Sequence, residues 1–318
     1  MAAPKLTHLA GIAVAAVVAV TTGSAGAASP DSAYVLRHRS FMPLDIPADA
    51  LADPRGTAHI GMNNLGEITG AYADRSGTYS GFVRSRSGAY TKFNVPGASV
   101  TLPSDINDHG DVVGFSLGAT PSDVHGFVRD RRGVVTPVDF PGATSTVALG
   151  IDNHGRIVGG YGDTRGFDHG FVLSRGVYRT IDAPGATRIE EKSNAAATDI
   201  NDHGDIVGFY VDDDNTYHGY LRRKGRRFSA VDPPRAADVP DLATTVPFGI
   251  NNDREIVGQY ADKNGVLHGY LRTWRGRYRT IDRPDGSATV AADIDDRGRI
   301  LVPAPTSYFK GRIPGAPG

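Results

Sequence analysis

The segment DINDHGDVVG, Asp105 to Gly114, returns almost unchanged as DINDHGDIVG at Asp199 to Gly208. Looser copies are GMNNLGEITG from Gly61, GIDNHGRIVG from Gly150, GINNDREIVG from Gly249 and DIDDRGRILV from Asp293. The six copies start 44 to 50 residues apart. A fixed period of that length marks a chain built from repeated supersecondary units. Within each copy the N-D-x-G tetrad reads as a hairpin turn whose Gly supplies a left-handed residue. The apolar pairs on either side read as strands. In the fifth copy Arg254 stands where the turn wants Gly, at a cost of about 1 kcal/mol if it stays left-handed.

A second segment also occurs six times. It begins with an aromatic and ends in D-x-P: YVLRHRSFMPLDIP from Tyr34, FVRSRSGAYTKFNVP from Phe82, FVRDRRGVVTPVDFP from Phe127, FVLSRGVYRTIDAP from Phe171, YLRRKGRRFSAVDPP from Tyr220 and YLRTWRGRYRTIDRP from Tyr270. Asn94 is the one replacement of the Asp. Each unit therefore has four short strands, A to D, with Pro ending D because it cannot donate to a ladder. No stretch holds a helical period with caps.

Four antiparallel strands every 45 or so residues predict an all-β, six-bladed β-propeller. Five units are complete. The chain opens with strands C and D alone (34–47) and closes with A and B alone (287–302). Pairing these halves makes the sixth blade and removes the free edges. An open β-solenoid would need capping units at its ends, whereas these ends are complementary.

Lys5 and His8 precede twelve apolar or small residues, Leu9 to Val20. As a helix this run is about 18 Å long, short of a bilayer core of about 30 Å. Ala25 and Ala27 stand in the A-x-A relation that a signal peptidase reads. The expected division is a secretory signal peptide at 1–27, a propeller at 28–302 and a tail at 303–318, with a secreted product. There is no Cys, which excludes disulfides, thiol catalysis and thiolate metal sites. With 34 basic and 35 acidic residues, no strong field draws the chain to nucleic acid or an anionic membrane.

The units resemble the bacterial extracellular repeats named for a His-Ala-Phe triad, over Tyr34 to Val302. The triad reads His-Gly-Phe at His125 and His169, His-Gly-Tyr at His218 and His268, Ser-Gly-Phe at Ser80 and Ser-Ala-Tyr at Ser32. Gly replaces Ala in five of the six, as in a divergent subgroup. The resemblance implies export and a repeat architecture. It carries over no catalytic residue.

Variable loops on a rigid scaffold are where binding resides, and here they are the D-to-A and B-to-C connections of one face. Ligand-binding candidates on that face are Tyr72, Tyr161, Tyr210 and Tyr260, which end strand B, and His125, His169, His218 and His268, which begin strand C. Repetition in successive blades also gives them a structural reading: His bonding a neighbouring loop carbonyl, Tyr packing between blades. Glu190, Glu191, Asp238 and Asp241 lie in the two longest connections and would supply the carboxylate pair of a hydrolase or lyase.

The residue before the strand-A Ile alternates Gly61, Asp105, Gly150, Asp199, Gly249, Asp293. Three carboxylates around the axis would suit a calcium ion. The same Asp residues would equally accept hydrogen bonds from local turn amides. Asp212, Asp213 and Asp214 read as a solvated loop. Arg222, Arg223, Lys224, Arg226 and Arg227 form a basic knot at a C–D turn, without the interleaved aromatics of a nucleic-acid site.

No G-x-S-x-G, H-E-x-x-H or phosphate loop occurs. The reading is a monomeric, non-catalytic module for an extracellular glycan, peptide or cell-envelope component. The alternative is a polysaccharide-acting hydrolase or lyase with its site at the channel mouth.

Overall fold

The computed structural model describes residues 33–37, 40–44, 60–73, 78–120, 122–184, 195–224, 227–236, 245–283 and 286–303. It is a six-bladed β-propeller, each blade a four-stranded antiparallel sheet. Blades are numbered here from the first complete unit. In blade 4 the strands are Ala195–Ile200, Ile206–Val211, Tyr217–Arg223 and Arg227–Ala230. In blade 5 they are Thr245–Ile250, Ile256–Ala261, Leu267–Arg272 and Tyr278–Ile281.

Blade 6 is composite. Strands Asp293–Ile294 and Ile300–Pro303 come from one end of the chain, Ala33–Arg37 and Ser40–Leu44 from the other. The seam runs in register from Ala33 opposite Pro303 to Leu36 opposite Ile300. Leu36 is buried there with Val302, Ile294 and Ile281. The signal segment, and the tail beyond Pro303, lie outside the described residues.

The Gly of strand B and the aromatic of strand C are one packing unit. A Cβ on Gly114, Gly159, Gly208 or Gly258 would stand 2.0–2.3 Å from a strand-A carbonyl oxygen. It would also stand within 3 Å of Phe127, Phe171, Tyr220 or Tyr270, one per blade. Those rings are almost wholly buried. Each inter-blade core is then filled from both sides: Val113 of blade 2 packs with Ile151, Ile157 and Phe171 of blade 3. Arg254 keeps the left-handed conformation that its turn imposes, with φ 60°. Its Nε donates to Asp205 of the preceding blade at 2.6 Å, a contact Gly could not make.

Candidate functional site

Strand A carries a bulge in blades 2 to 5, immediately before the alternating Asp/Gly position. A bulge re-aims a side chain, and the carboxylates of Asp105 and Asp199 follow such bulges. Asp105 accepts from its neighbour Ile106 N–H at 2.7 Å and from Ile151 N–H of the next blade at 2.8 Å. Asp199 does the same with Ile200 and Ile250, both at 2.7 Å. Asp293 does so with Ile294 at 2.7 Å and Met62 at 2.6 Å. The intervening glycines make room. A Cβ on Gly61, Gly150 or Gly249 would lie 2.7–3.0 Å from the Cα of Asp105, Asp199 or Asp293.

A second ring lies in the A–B turns. Asn64, Asp108, Asn153, Asp202, Asn252 and Asp296 alternate around the axis. Each backbone N–H donates to the next blade's side-chain oxygen, at 2.7–2.9 Å. The amide groups of Asn153 and Asn252 each span two aspartates, with bonds of 2.9–3.0 Å. Sequence reading found the first alternation and missed this one, although the same every-other-copy signal was present.

The turn's first residue shows a charge exchange. Asn63, Asn107, Asn201 and Asn251 donate to a carbonyl of the next blade. In blades 3 and 6 that residue is Asp152 or Asp295, and Arg156 or Arg299 replaces the acidic residue four places on. Arg156 Nε pairs with Asp152, and its Nη2 donates to the Asp202 carbonyl at 2.9 Å. Arg299 spans Asp295 and the Asn64 carbonyl in the same way.

The space these rings enclose is about 60 Å³, room for a few waters and too small for a sugar ring. Asp105, Asp199 and Asp293 do not converge as a metal set. Among the described residues, three ligand atoms come within 4.8 Å of one another only at Asp152, His154 and Asp202. There Asp152 Oδ2 is held by Arg156 and Asp202 Oδ1 by the Asn153 amide. The strand-A carboxylates take up backbone amides, one of each pair from another blade rather than from the local turn.

The strand-C histidines are clamped between two aspartates of their own blade. His125 meets Asp139 at 3.1 Å and Asp123 at 2.9 Å. His169 meets Asp182 at 2.9 Å, His218 meets Asp212 at 3.0 Å and His268 meets Asp282 at 2.7 Å. The partner is a carboxylate where the sequence suggested a loop carbonyl. The D-x-P Asp therefore ties strand D to strand C, and through Asp139 and Asp232 it also accepts the following Gly N–H. Tyr161, Tyr210 and Tyr260 pack on these imidazoles at centroid distances of 5.1–5.3 Å. Tyr72 lies under the Lys92 ammonium at 4.7 Å. Glu190, Glu191, Asp238 and Asp241 lie outside the described residues.

These groups set a pH dependence. Burial pushes the Asp105 carboxyl up to about 6, against the two amides that favour its charge. Its contribution to stability is complete below the unfolded value near 4 and is lost as pH rises through about 6. Burial alone would lower His125 and His218, but their aspartates reverse it. In His169 the Asp182 bond leads, and the direction is again upward. Their contribution is also full below about 6.5 and lost as pH rises through the folded value. Asp163, Asp202 and Asp212 run the other way. Burial raises them, but hydrogen bonds from backbone amides and side chains more than offset it, so their contribution is lost as pH falls below about 3.8. The melting temperature is expected to peak between about pH 4 and 6 and to fall toward pH 8. A scanning-calorimetry series rising from pH 6 to 8 would contradict this.

The x of D-x-P differs from blade to blade. At the junction of blades 2 and 3 it is Phe140, stacked on Tyr161 at 3.7 Å with an interplanar angle of 4°. Its N–H donates to Thr146 at 3.0 Å. Val95 and Arg283 make the matching bond to Thr101 and Thr289. At the junction of blades 4 and 5 the residue is Pro233, with no ring to stack and no N–H to give. There a groove of about 730 Å³ is open. Tyr260, Tyr270 and Tyr278 form its wall with Thr280, opposite Pro233 and Pro234. Arg235, Arg277 and Arg279, all exposed, complete its lining. Tyr260 Oη shares a hydrogen bond with Thr280 Oγ1 at 3.0 Å. The buried Tyr270 hydroxyl has no partner among the described residues. Its counterpart Tyr220 donates to the Ala196 carbonyl at 3.1 Å. Of the sequence candidates, Tyr260 alone lines this groove.

No protein-family model and no curated protein matches the chain. Solved structures do. TolB from Acinetobacter baumannii superposes with a TM-score of 0.51 at 14% identity, over 90% of this chain and 66% of that one. The chain thus spans just under two thirds of TolB. A lectin from Aleuria aurantia, described as a six-bladed β-propeller with a novel fucose recognition mode, gives 0.47 at 11%, over 72% and 79%. An acylaminoacyl peptidase gives 0.47 at 12%, over 82% and 42%. At these identities the likeness is one of fold.

Proposed function

We propose that this chain is an exported, non-catalytic carbohydrate-binding module whose ligand lies in the groove between blades 4 and 5. The groove carries the reading. Its volume of about 730 Å³ is in the range of small-molecule sites. Its lining combines the half-buried Tyr278 ring, which suits the apolar face of a sugar, with a threonine and exposed arginines that can hydrogen-bond hydroxyls. Export rests on the sequence signal at 1–27, and the repeat resemblance agrees with it.

The test uses residues 28–318 against immobilised neutral and acidic polysaccharides, alongside the variant Pro233→Phe. A Phe there would stack on Tyr260 as Phe140 stacks on Tyr161. Its new N–H would find Thr245, which holds the strand position that Thr146 holds in blade 3. The variant is therefore expected to keep its melting temperature and to lose polysaccharide binding by at least about tenfold, or 1.4 kcal/mol. Unchanged binding by Pro233→Phe, or no binding by the parent to any polysaccharide, would remove the proposal.

A further inference from the structure

The rim of this groove is charged in a way that a neutral sugar does not need. Arg235, Arg277 and Arg279 line it, and none of them makes an ion pair with a described residue. Arg272 lies over the Tyr278 ring at 5.9 Å, a fourth guanidinium beside the same wall. Arg275, stacked on the exposed Trp274 at 4.7 Å, extends the positive surface along the adjoining turn. Asp232 bears on the same wall, and its charge is felt at Tyr270 and Tyr278. It is already engaged by the Gly219 amide at 2.9 Å and by His218 at 3.4 Å. A chain near neutrality thus gathers around this groove three arginines that pair with no described carboxylate.

We infer that the groove takes an acidic polysaccharide, with a sugar ring against the half-buried Tyr278 and carboxylate or sulfate groups on Arg235, Arg277 and Arg279. This rests on the carbohydrate-binding reading above. Guanidinium groups recognise planar or tetrahedral anions through paired N–H donors. The Tyr270 hydroxyl, buried and without a partner among the described residues, belongs to the same wall, and such a group calls for an explanation.

The experiment pairs probes that share a backbone and differ in charge: polygalacturonate against its methyl ester, and dextran sulfate against dextran. The expected result is salt-sensitive binding of at least one acidic probe, with its neutral partner at least about tenfold weaker. Arg277→Gln/Arg279→Gln, both at exposed positions, is expected to lose about tenfold on the acidic probe while keeping its melting temperature. Equal binding of acidic and neutral partners would overturn the acidic assignment and leave the carbohydrate reading standing. Binding of neutral polysaccharides alone would do the same. If no polysaccharide binds, both fail. If single-stranded DNA binds more tightly than either acidic probe and responds equally to the double variant, the site is a general polyanion surface and the inference is wrong.

Discussion

Deleting residues 28–47, and with them strands C and D of the sixth blade, is expected to abolish cooperative unfolding. The deletion strips Ile300–Pro303 of its partner from Ala33 to Leu36 and exposes a strand edge that templates aggregation. It also uncovers Val302 and Ile294, which Leu36 helps to bury. What would then hold blade 6 to blade 1 is Leu301, buried among Ile60, Met62, Ile68 and Phe82, and a polar seam. Asp293 reaches the Met62 amide, Asp296 N–H reaches Asn64 Oδ1 at 2.8 Å, and Arg299 reaches the Asn64 carbonyl at 3.4 Å. The expected loss is more than about 5 kcal/mol, comparable with the whole stability of a domain. Urea titration and size-exclusion chromatography would show an early, broad transition and soluble aggregates. A permutant separates closure from composition. Ala33 lies opposite Pro303 on adjacent antiparallel strands, so a short turn can join them. New ends are then placed in the connection at 95–99. That chain should unfold within about 1 kcal/mol of the parent. A deletion that still melts sharply near the parental temperature would show that the seam contributes little.

The second large effect is expected at the strand-A ring. Asp199→Ala leaves the Ile200 and Ile250 amides, both buried, without acceptors. At about 1–3 kcal/mol for each stranded group, the expected cost is about 2–6 kcal/mol. Asp199→Asn tests the cause. A carboxyl oxygen keeps a lone pair for the amide whether or not it is protonated, whereas the Asn nitrogen has none to offer. If Asp199 serves as a double acceptor, the Asn variant loses nearly as much as Ala. If removing one of three neighbouring negative charges were the main effect, Asn would stabilise the chain at pH 8. Gly150→Ala probes the same ring from its empty position. Its Cβ would stand 2.7 Å from the Asp199 Cα, a backbone atom that cannot swing aside. Overpacking of this kind typically costs about 1–3 kcal/mol. Thermal melts of the three variants decide the matter.

The blade count, the strand positions and the way the ends close were legible because each is encoded within one repeat or in the phase of the repeats. The N-D-x-G turn needs a left-handed residue wherever it sits, so even Arg254 adopts φ 60°. The alternation of Asp and Gly was visible, but its meaning was not. Asp105 and the Ile151 amide are 46 residues apart in sequence, and only closure into a ring sets each blade's carboxylate against the next blade's backbone. The Asn–Asp ring of the A–B turns has the same origin. Asp152 and Arg156 are changed together in blade 3, and the reason lies outside the repeat, in the bond from Arg156 to the Asp202 carbonyl of blade 4. The groove lay deepest of all. Pro233 and Phe140 occupy the same place in the repeat. What each one fills depends on a tyrosine in the following blade, and that neighbour is supplied by the packing of blades, which no single repeat contains.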